Sequence, residues 1–188
     1  GFDPILAEQV ASGRLRFSTD FSEISDADVV FIGVGTPQKA DSHAADLTYI
    51  DSAIASITPH LKDGALVAGK STVPVGTAQR LAEYVAEHTP EGVTAELAWN
   101  PEFLREGFAI EDTLTPDRIV YGVADGAEWA AEKLDTVYRS IIDIPTPRLI
   151  VNMETAELVK VSANAFLATK ISFINAMAEV CEATGGDV

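Results

Sequence analysis

Asp28-Val29-Val30-Phe31-Ile32-Gly33-Val34-Gly35-Thr36-Pro37 decides the fold. The run from Val29 to Val34 is continuously apolar, which reads as a strand buried on both faces. A polar loop, Gly35 to Asp46, follows it. Leu47 to Leu61 then reads as a helix, with Asp46 as its N-cap and Asp63-Gly64 as its stop. The alternation repeats downstream. Ala65 to Ala68 is a strand, Gly76 to His88 a helix, and Thr94 to Ala98 a third strand followed by a long loop-like stretch. Arg118 to Val123 is a strand, Ala127 to Ser140 a helix, and Leu149 to Val151 a last short strand. Upstream, Ile5 to Ser12 reads as a helix stopped by Gly13, and Leu15 to Phe17 as a short strand. Short apolar runs alternating with longer helical stretches predict βαβ units on a parallel sheet.

The longest helical pattern comes last, from about Glu154 to Ala183, closed by Gly185-Gly186. It has no proline, and Leu158, Val161, Phe166, Leu167, Ile171, Ile174, Met177 and Val180 spread around much of its circumference. A helix apolar on several faces packs between two bodies, so it is expected to join domains.

Composition narrows the function. The 188 residues carry 13 Lys and Arg against 29 Asp and Glu, a net charge of −16. Nucleic acids and anionic membranes call for a basic face, so neither is an expected partner. No apolar run reaches the ~20 residues of a membrane span, and the first residues lack the pattern of a signal peptide. The single cysteine, Cys181, excludes an internal disulfide, and His43, His60 and His88 are too scattered for a metal site. A reducing, cytoplasmic setting is expected. Cys181, between Val180 and Glu182, reads as a small buried apolar residue rather than a reactive thiol.

Ligands of a parallel α/β sheet bind at the carboxyl ends of its strands. Three segments lie there: Gly33-Val34-Gly35-Thr36-Pro37, Lys70-Ser71-Thr72-Val73-Pro74-Val75-Gly76-Thr77, and Asn100-Pro101-Glu102-Phe103-Leu104-Arg105-Glu106-Gly107. Any one alone is ordinary loop punctuation; three on one edge point to a site. Gly33 and Gly35 let backbone approach a ligand, and Thr36 offers a hydroxyl. Gln38 stands where a third glycine would complete a G-x-G-x-x-G, so the dinucleotide fingerprint is weak. Ser71 and Thr72 precede a helix N-terminus that favours an anion or a ribose-phosphate group. Glu102 and Glu106, four apart, would share a face on one helical turn, and paired carboxylates can divide acid and base roles. Lys160 and Asn164 share a face of the long helix. They read either as a polar stripe or as groups that hold an oxyanion or a sugar hydroxyl.

Four motifs in one order add a resemblance. They are Lys70 through Thr77; Asn100 through Gly107 with Ala109-Ile110; Pro116-Asp117-Arg118-Ile119-Val120; and Glu157-Leu158-Val159-Lys160 through Asn164-Ala165-Phe166-Leu167-Ala168. Together with Thr169 through Gly185 they resemble the UDP-glucose/GDP-mannose dehydrogenase family over nearly the whole chain. The resemblance implies a partial doubly wound, Rossmann-like parallel-sheet domain for NAD over residues 1–151, without its first strand and Gly-rich turn. Residues 152–188 would be a long central helix leading to a nucleotide-sugar domain not contained in this sequence.

The resemblance further implies a four-electron oxidation of the C6 alcohol of UDP-glucose to UDP-glucuronate, through an aldehyde and an enzyme thioester, with NAD as cofactor. Val34, Gly35, Thr36, Ser71 and Thr72 would line the NAD site, with Glu106 near the nicotinamide. Thr72 would also help hold a catalytic water. Glu102 would be the general base or water-orienting group in thioester hydrolysis. Phe103, Leu104 and Arg105 would belong to the substrate loop, and Lys160 and Asn164 would stabilise the oxyanion and bind the sugar. The family's nucleophilic cysteine has no counterpart here, since Cys181 matches a different position; the chain alone is expected to be inactive. A homodimer through the long helix is implied. Oxidation of GDP-mannose or of a UDP-N-acetylhexosamine, and a non-catalytic nucleotide-binding or assembly fragment, stand as alternatives.

Overall fold

The computed structural model describes residues 2–143 and 146–187. Gly1 and Val188, the outer ends of the two expected segments, lie outside the described residues. Helix α1 (Asp3–Ala11) comes first, then β1 (Val29–Ile32), α2 (Thr48–Ile57), β2 (Ala65–Gly69), α3 (Thr77–His88) and β3 (Ala95–Trp99). These are followed by α4 (Ala109–Leu114), β4 (Ile119–Gly122), α5 (Glu128–Val137), α6 (Arg139–Ile142), β5 (Arg148–Val151) and α7 (Met153–Ala183). The strands form one sheet in chain order, β1-β2-β3-β4-β5.

The sheet is wound on both faces because β2 is apolar and buried at every position. In β2, Ala65 and Val67 point to a core shared with Ile50 and Ile54 of α2 and Leu81 and Val85 of α3. The alternate residues Leu66 and Ala68 point to the opposite core, with Ala130, Ala131 and Leu134 of α5. The two-residue period of a strand thus assigns neighbours in sequence to opposite layers.

Parallel pairing holds for β1 with β2, β2 with β3, and β4 with β5. The expected parallel sheet has one antiparallel junction. Strands β3 and β4 run antiparallel and share a single register pair, Trp99 with Gly122. A parallel return needs a crossover, usually a full helix. Between β3 and β4 the chain has only α4, of 6 residues and ~9 Å.

Other expectations need correction too. Leu15 to Phe17 forms no strand; the segment is unpaired and Phe17 is 76% exposed. The expected Ala127 to Ser140 helix divides at Tyr138 into α5 and α6. The stretch after β3 is not loop throughout, since it contains α4.

Two glycines set the close approaches that shape the site. A Cβ on Gly69 would fall 2.1 Å from the Trp99 ring, so only glycine lets that ring lie across the end of β2. A Cβ on Gly122 would fall 2.7 Å from the Ala156 Cβ, so glycine also lets α7 begin directly against β4. Asn152 caps α7, its side-chain oxygen accepting from the Thr155 N–H at 2.9 Å. Of the 31 residues of α7, only Met153, Ala156, Glu157 and Lys160 are buried. Val159, Ala163, Ala178 and Cys181 are partly buried, and the others, including Phe166, Leu167, Ile171, Phe173 and Ile174, are exposed. No helix among the described residues is long and apolar enough to cross a membrane.

Candidate active site

The residues singled out from sequence fall into two neighbouring groups at the carboxyl ends of the strands. The first joins the turns after β1 and β2. Ser71 Oγ donates to the Val34 carbonyl at 2.6 Å, and Thr36 Oγ1 donates to the Thr72 carbonyl at 2.7 Å. These reciprocal bonds stitch the two turns together and leave the hydroxyl oxygens free to accept. A Cβ at Gly33 or Gly35 would meet nothing within 4 Å, so the backbone there is open.

The second group lines a cleft of about 530 Å³. Glu102, Phe103, Leu104, Arg105 and Glu106 come from the loop after β3, and Lys160 and Asn164 from α7. Glu106, expected beside the nicotinamide, lies on this cleft. Lys160 Nζ stands 2.9 Å from Glu102 Oε1, with the lysine side chain 8% exposed and the glutamate 33%. Glu102 Oε2 accepts from the Leu104 N–H at 2.6 Å. Burial works against ionised Glu102, but Lys160, the Leu104 N–H and the charge of Lys70 together outweigh it and hold the carboxyl below its usual range. Phe103 lies between two cations, with Arg118 at 4.1 Å from its ring centre and Lys160 at 5.5 Å.

Glu102 and Glu106 do not share a helical face as expected, because the 101–105 segment is not helical. The bond from Leu104 N–H back to the Glu102 carboxylate gives the backbone a local turn in place of a helical one. Arg105, assigned to the substrate loop, is drawn back onto α4. Its Nη2 lies 2.6 Å from Asp112 Oδ1, and its backbone N–H donates to Asp112 Oδ2 at 2.7 Å.

Two residues in the quoted motifs carry more than sequence assigned them. Glu157 is 1% exposed and closes the N-terminus of α3, accepting from Gly76 N–H and Ala78 N–H, each at 2.7 Å. The anion expected at this helix end is therefore the chain's own carboxylate. None of the ion pairs among the described residues includes Glu157, and burial pushes its carboxyl up. Lys70 is the other. Its Nζ donates to Asn100 Oδ1 at 3.1 Å and to the Tyr138 hydroxyl at 3.0 Å. The buried Asn100 in turn donates from Nδ2 to the Val120 carbonyl at 3.0 Å. An interior lysine after a buried strand was the available signal for this node.

Cys181 is not a core residue. It is partly exposed near the end of α7, its Sγ 3.5 Å from the Asp187 carbonyl. Twenty-one residues of helix separate it from Lys160, or ~31 Å.

The open backbone and accepting hydroxyls of the first group fit the ribose and amide parts of a dinucleotide. The N-terminus of α3 does not offer itself to a pyrophosphate, since Glu157 fills it. Residues that would hold NAD here are thus Val34, Gly35, Thr36, Ser71 and Thr72.

Comparison with known proteins bears on this arrangement. Residues 1–142 match the UDP-glucose/GDP-mannose dehydrogenase family, NAD binding domain, and residues 154–188 match the central domain of the same family. A UDP-glucose 6-dehydrogenase of Bacillus subtilis is 44% identical over 189 residues, covering 100% of this chain and 42% of that protein. One from Rhizobium meliloti is 44% identical over 190 residues, covering 100% and 43%. The chain therefore spans less than half the length of these relatives. Among solved structures, a UDP-glucose dehydrogenase from Pyrobaculum islandicum superposes with a TM-score of 0.87 at 41% identity, covering 100% of this chain and 43% of that one. A ternary complex of a GDP-mannose dehydrogenase from Pseudomonas aeruginosa gives 0.90 at 31% identity, covering 100% and 43%.

Proposed function

The chain belongs to the UDP-glucose/GDP-mannose dehydrogenase family, and from that premise we propose that its parent protein oxidises the C6 alcohol of UDP-glucose to UDP-glucuronate. The reaction consumes one water and two NAD and releases two NADH and three protons. Bound NAD supplies the hydride acceptor in each of the two oxidations. Residues 1–151 form the NAD-binding part, and 152–188 the helix leading to the nucleotide-sugar part. UDP-glucose is preferred over GDP-mannose because the relatives named for it are the more similar, at 44% against 31% identity.

The observation that carries this reading is the Lys160–Glu102 pair at 2.9 Å, with Asn164 on the same cleft wall. The Lys160 ammonium and the Asn164 amide donate to the C6 oxygen wherever negative charge develops on it. Glu102, ionised and partly exposed, orients the water that hydrolyses the thioester, with Thr72 helping to hold it. A carboxylate held below its usual range is a weak base, which favours orienting water over full proton abstraction. Phe103 and Leu104 form the substrate loop with Arg105, which Asp112 anchors, and Glu106 faces the nicotinamide. The thiol that carries the acyl group comes from outside these residues, because Cys181 lies a helix length from the cleft.

The exposed apolar side of α7 is covered by the rest of the parent protein and by a second copy in a homodimer. The test is stoichiometric: full-length protein with UDP-glucose and NAD is expected to give two NADH per UDP-glucuronate. A ratio of one, or no nucleotide-sugar oxidation, contradicts the reading.

A further inference from the structure

Lys70 is a partly buried ammonium that no step above uses, and it lines the same cleft as Lys160. It follows β2 directly and is held on three sides. Its Nζ reaches the Asn100 side chain at 3.1 Å, the Asn100 carbonyl at 3.4 Å and the Tyr138 hydroxyl at 3.0 Å. Tyr138 also donates to Asn100 Oδ1 at 2.6 Å. The rings of Phe31 and Tyr138 lie with their centres 5.6 Å from the ammonium. None of the ion pairs among the described residues includes Lys70, so its contacts are to neutral groups.

The position of this node matters. On one side β2 pairs with β3 as far as Trp99, and the Asn100 N–H donates to the Gly69 carbonyl at 2.8 Å, but on the other side β3 and β4 share one register pair, so the ladder hardly ties the end of β3 to β4. On the β4 side the Asn100 side chain makes that tie, its Nδ2 bonded to the Val120 carbonyl at 3.0 Å. Lys70 and Tyr138 saturate its Oδ1, which fixes the amide's orientation. Two residues on stands Glu102. We propose that Lys70 is a positioning residue of the cleft, which acts through Asn100 to fix the loop bearing Glu102 and presents that carboxylate with a second positive charge beside Lys160.

The electrostatics agree with the geometry. Burial pushes the Lys70 amine down to about 8, against the opposing field of Glu102. The groups facing it are Glu102 from the loop, Asn100 from the end of β3, Tyr138 from the α5–α6 junction and the Phe31 ring from β1. Tyr138 is itself pushed up to about 12 by burial, so it stays a neutral hydroxyl while Lys70 titrates.

The catalytic arm of the test rests on the function proposed above; the labelling arm does not. In full-length protein, trace acetylation with acetic anhydride across a pH series, read by peptide mass spectrometry, gives the titration of each amine. Lys70 is expected to reach half its limiting rate at about pH 8, against about 10.4 for an ordinary lysine. Tyr138→Phe removes an acceptor from the ammonium and lowers that midpoint further. In turnover, Lys70→Met is expected to cut kcat about tenfold with KM within about twofold, and to move the acidic limb of the pH profile up by about half a unit to one unit. Lys70→Arg, which keeps the charge, restores the limb in part. Titration of Lys70 with the ordinary lysines overturns the proposal, as does an unmoved acidic limb in an active Lys70→Met enzyme. If the wild-type protein oxidises no nucleotide sugar, the functional reading fails, and the labelling midpoint alone decides for or against the Lys70 node.

Discussion

Lys160 and Glu102 meet at 2.9 Å although one lies on α7 and the other on the loop after β3. Their meeting depends on Gly122, which lets α7 start against β4, and on Glu157, which pins the first turns of α7 to the end of α3. Lys160 is the cation that serves both chemical phases in this account. Lys160→Ala is expected to depress the first burst of NADH and the steady rate alike, each by about a hundredfold or more. Rapid-mixing absorbance at 340 nm (the NADH band) with full-length protein checks it; a normal burst with slow turnover would remove Lys160 from the oxidation step.

Glu157 gives a stability prediction. Its carboxylate is the acceptor for two backbone N–H groups at α3. Glu157→Ala leaves the buried Ala78 N–H without its partner and frees the more exposed Gly76 N–H, which costs about 1 to 3 kcal/mol. Chemical denaturation is expected to show that loss. A change below about 0.5 kcal/mol would mean the clasp is not holding α7.

Glu102 and Glu157 both stand in the quoted motifs, and the sequence reading assigned a role only to Glu102. The continuous apolar runs at Val29 and Ala65 made the parallel β1–β2–β3 layer legible, because strand burial is a local pattern. The antiparallel junction was not, since it depends on how the 100–118 connection folds, with the 6-residue α4 as its one helix. Likewise, the four-residue spacing of Lys160 and Asn164 put them on one cleft wall, because a helix really spans them. The same spacing failed for Glu102 and Glu106, where a carboxylate-to-backbone bond replaced the helix. Glu157 escaped notice as a clasp because its partners, Gly76 and Ala78, are backbone donors far away in sequence.

Lys70 carries a pH signature. The folded amine titrates at about 8 and the unfolded one at about 10.5. Between those values the unfolded chain binds more protons, so this group makes stability rise with pH there. Relative to wild type, Lys70→Met is expected to lack that rise when unfolding free energies at pH 7.5 and 10 are compared. Parallel pH dependences in the two proteins would contradict a depressed Lys70.

The bare side of α7 predicts assembly. Phe166 is 72% exposed and Phe173 61%, seven residues apart and so on one side of the helix. Phe166→Asp with Phe173→Asp is expected to turn the proposed full-length homodimer into a monomer by sedimentation velocity. An unchanged dimer would place the interface elsewhere.

The 188-residue chain by itself is expected to form no UDP-glucuronate from UDP-glucose, because its single thiol, Cys181, lies ~31 Å along α7 from Lys160 and cannot carry the acyl group. UDP-glucuronate formed by this chain would mean the thioester route is wrong.

Glu102 holds the central claim, and Glu102→Gln in the full-length protein tests it most directly. The substitution keeps the side-chain shape and removes the charge that orients the hydrolytic water. With UDP-glucose and NAD, rapid mixing followed by intact mass of the quenched protein is expected to show an NADH burst, a covalent sugar adduct on the enzyme and turnover reduced about a hundredfold or more. Normal turnover, or a stall before any adduct forms, would contradict the hydrolytic role and leave Glu102 as a structural partner of Lys160.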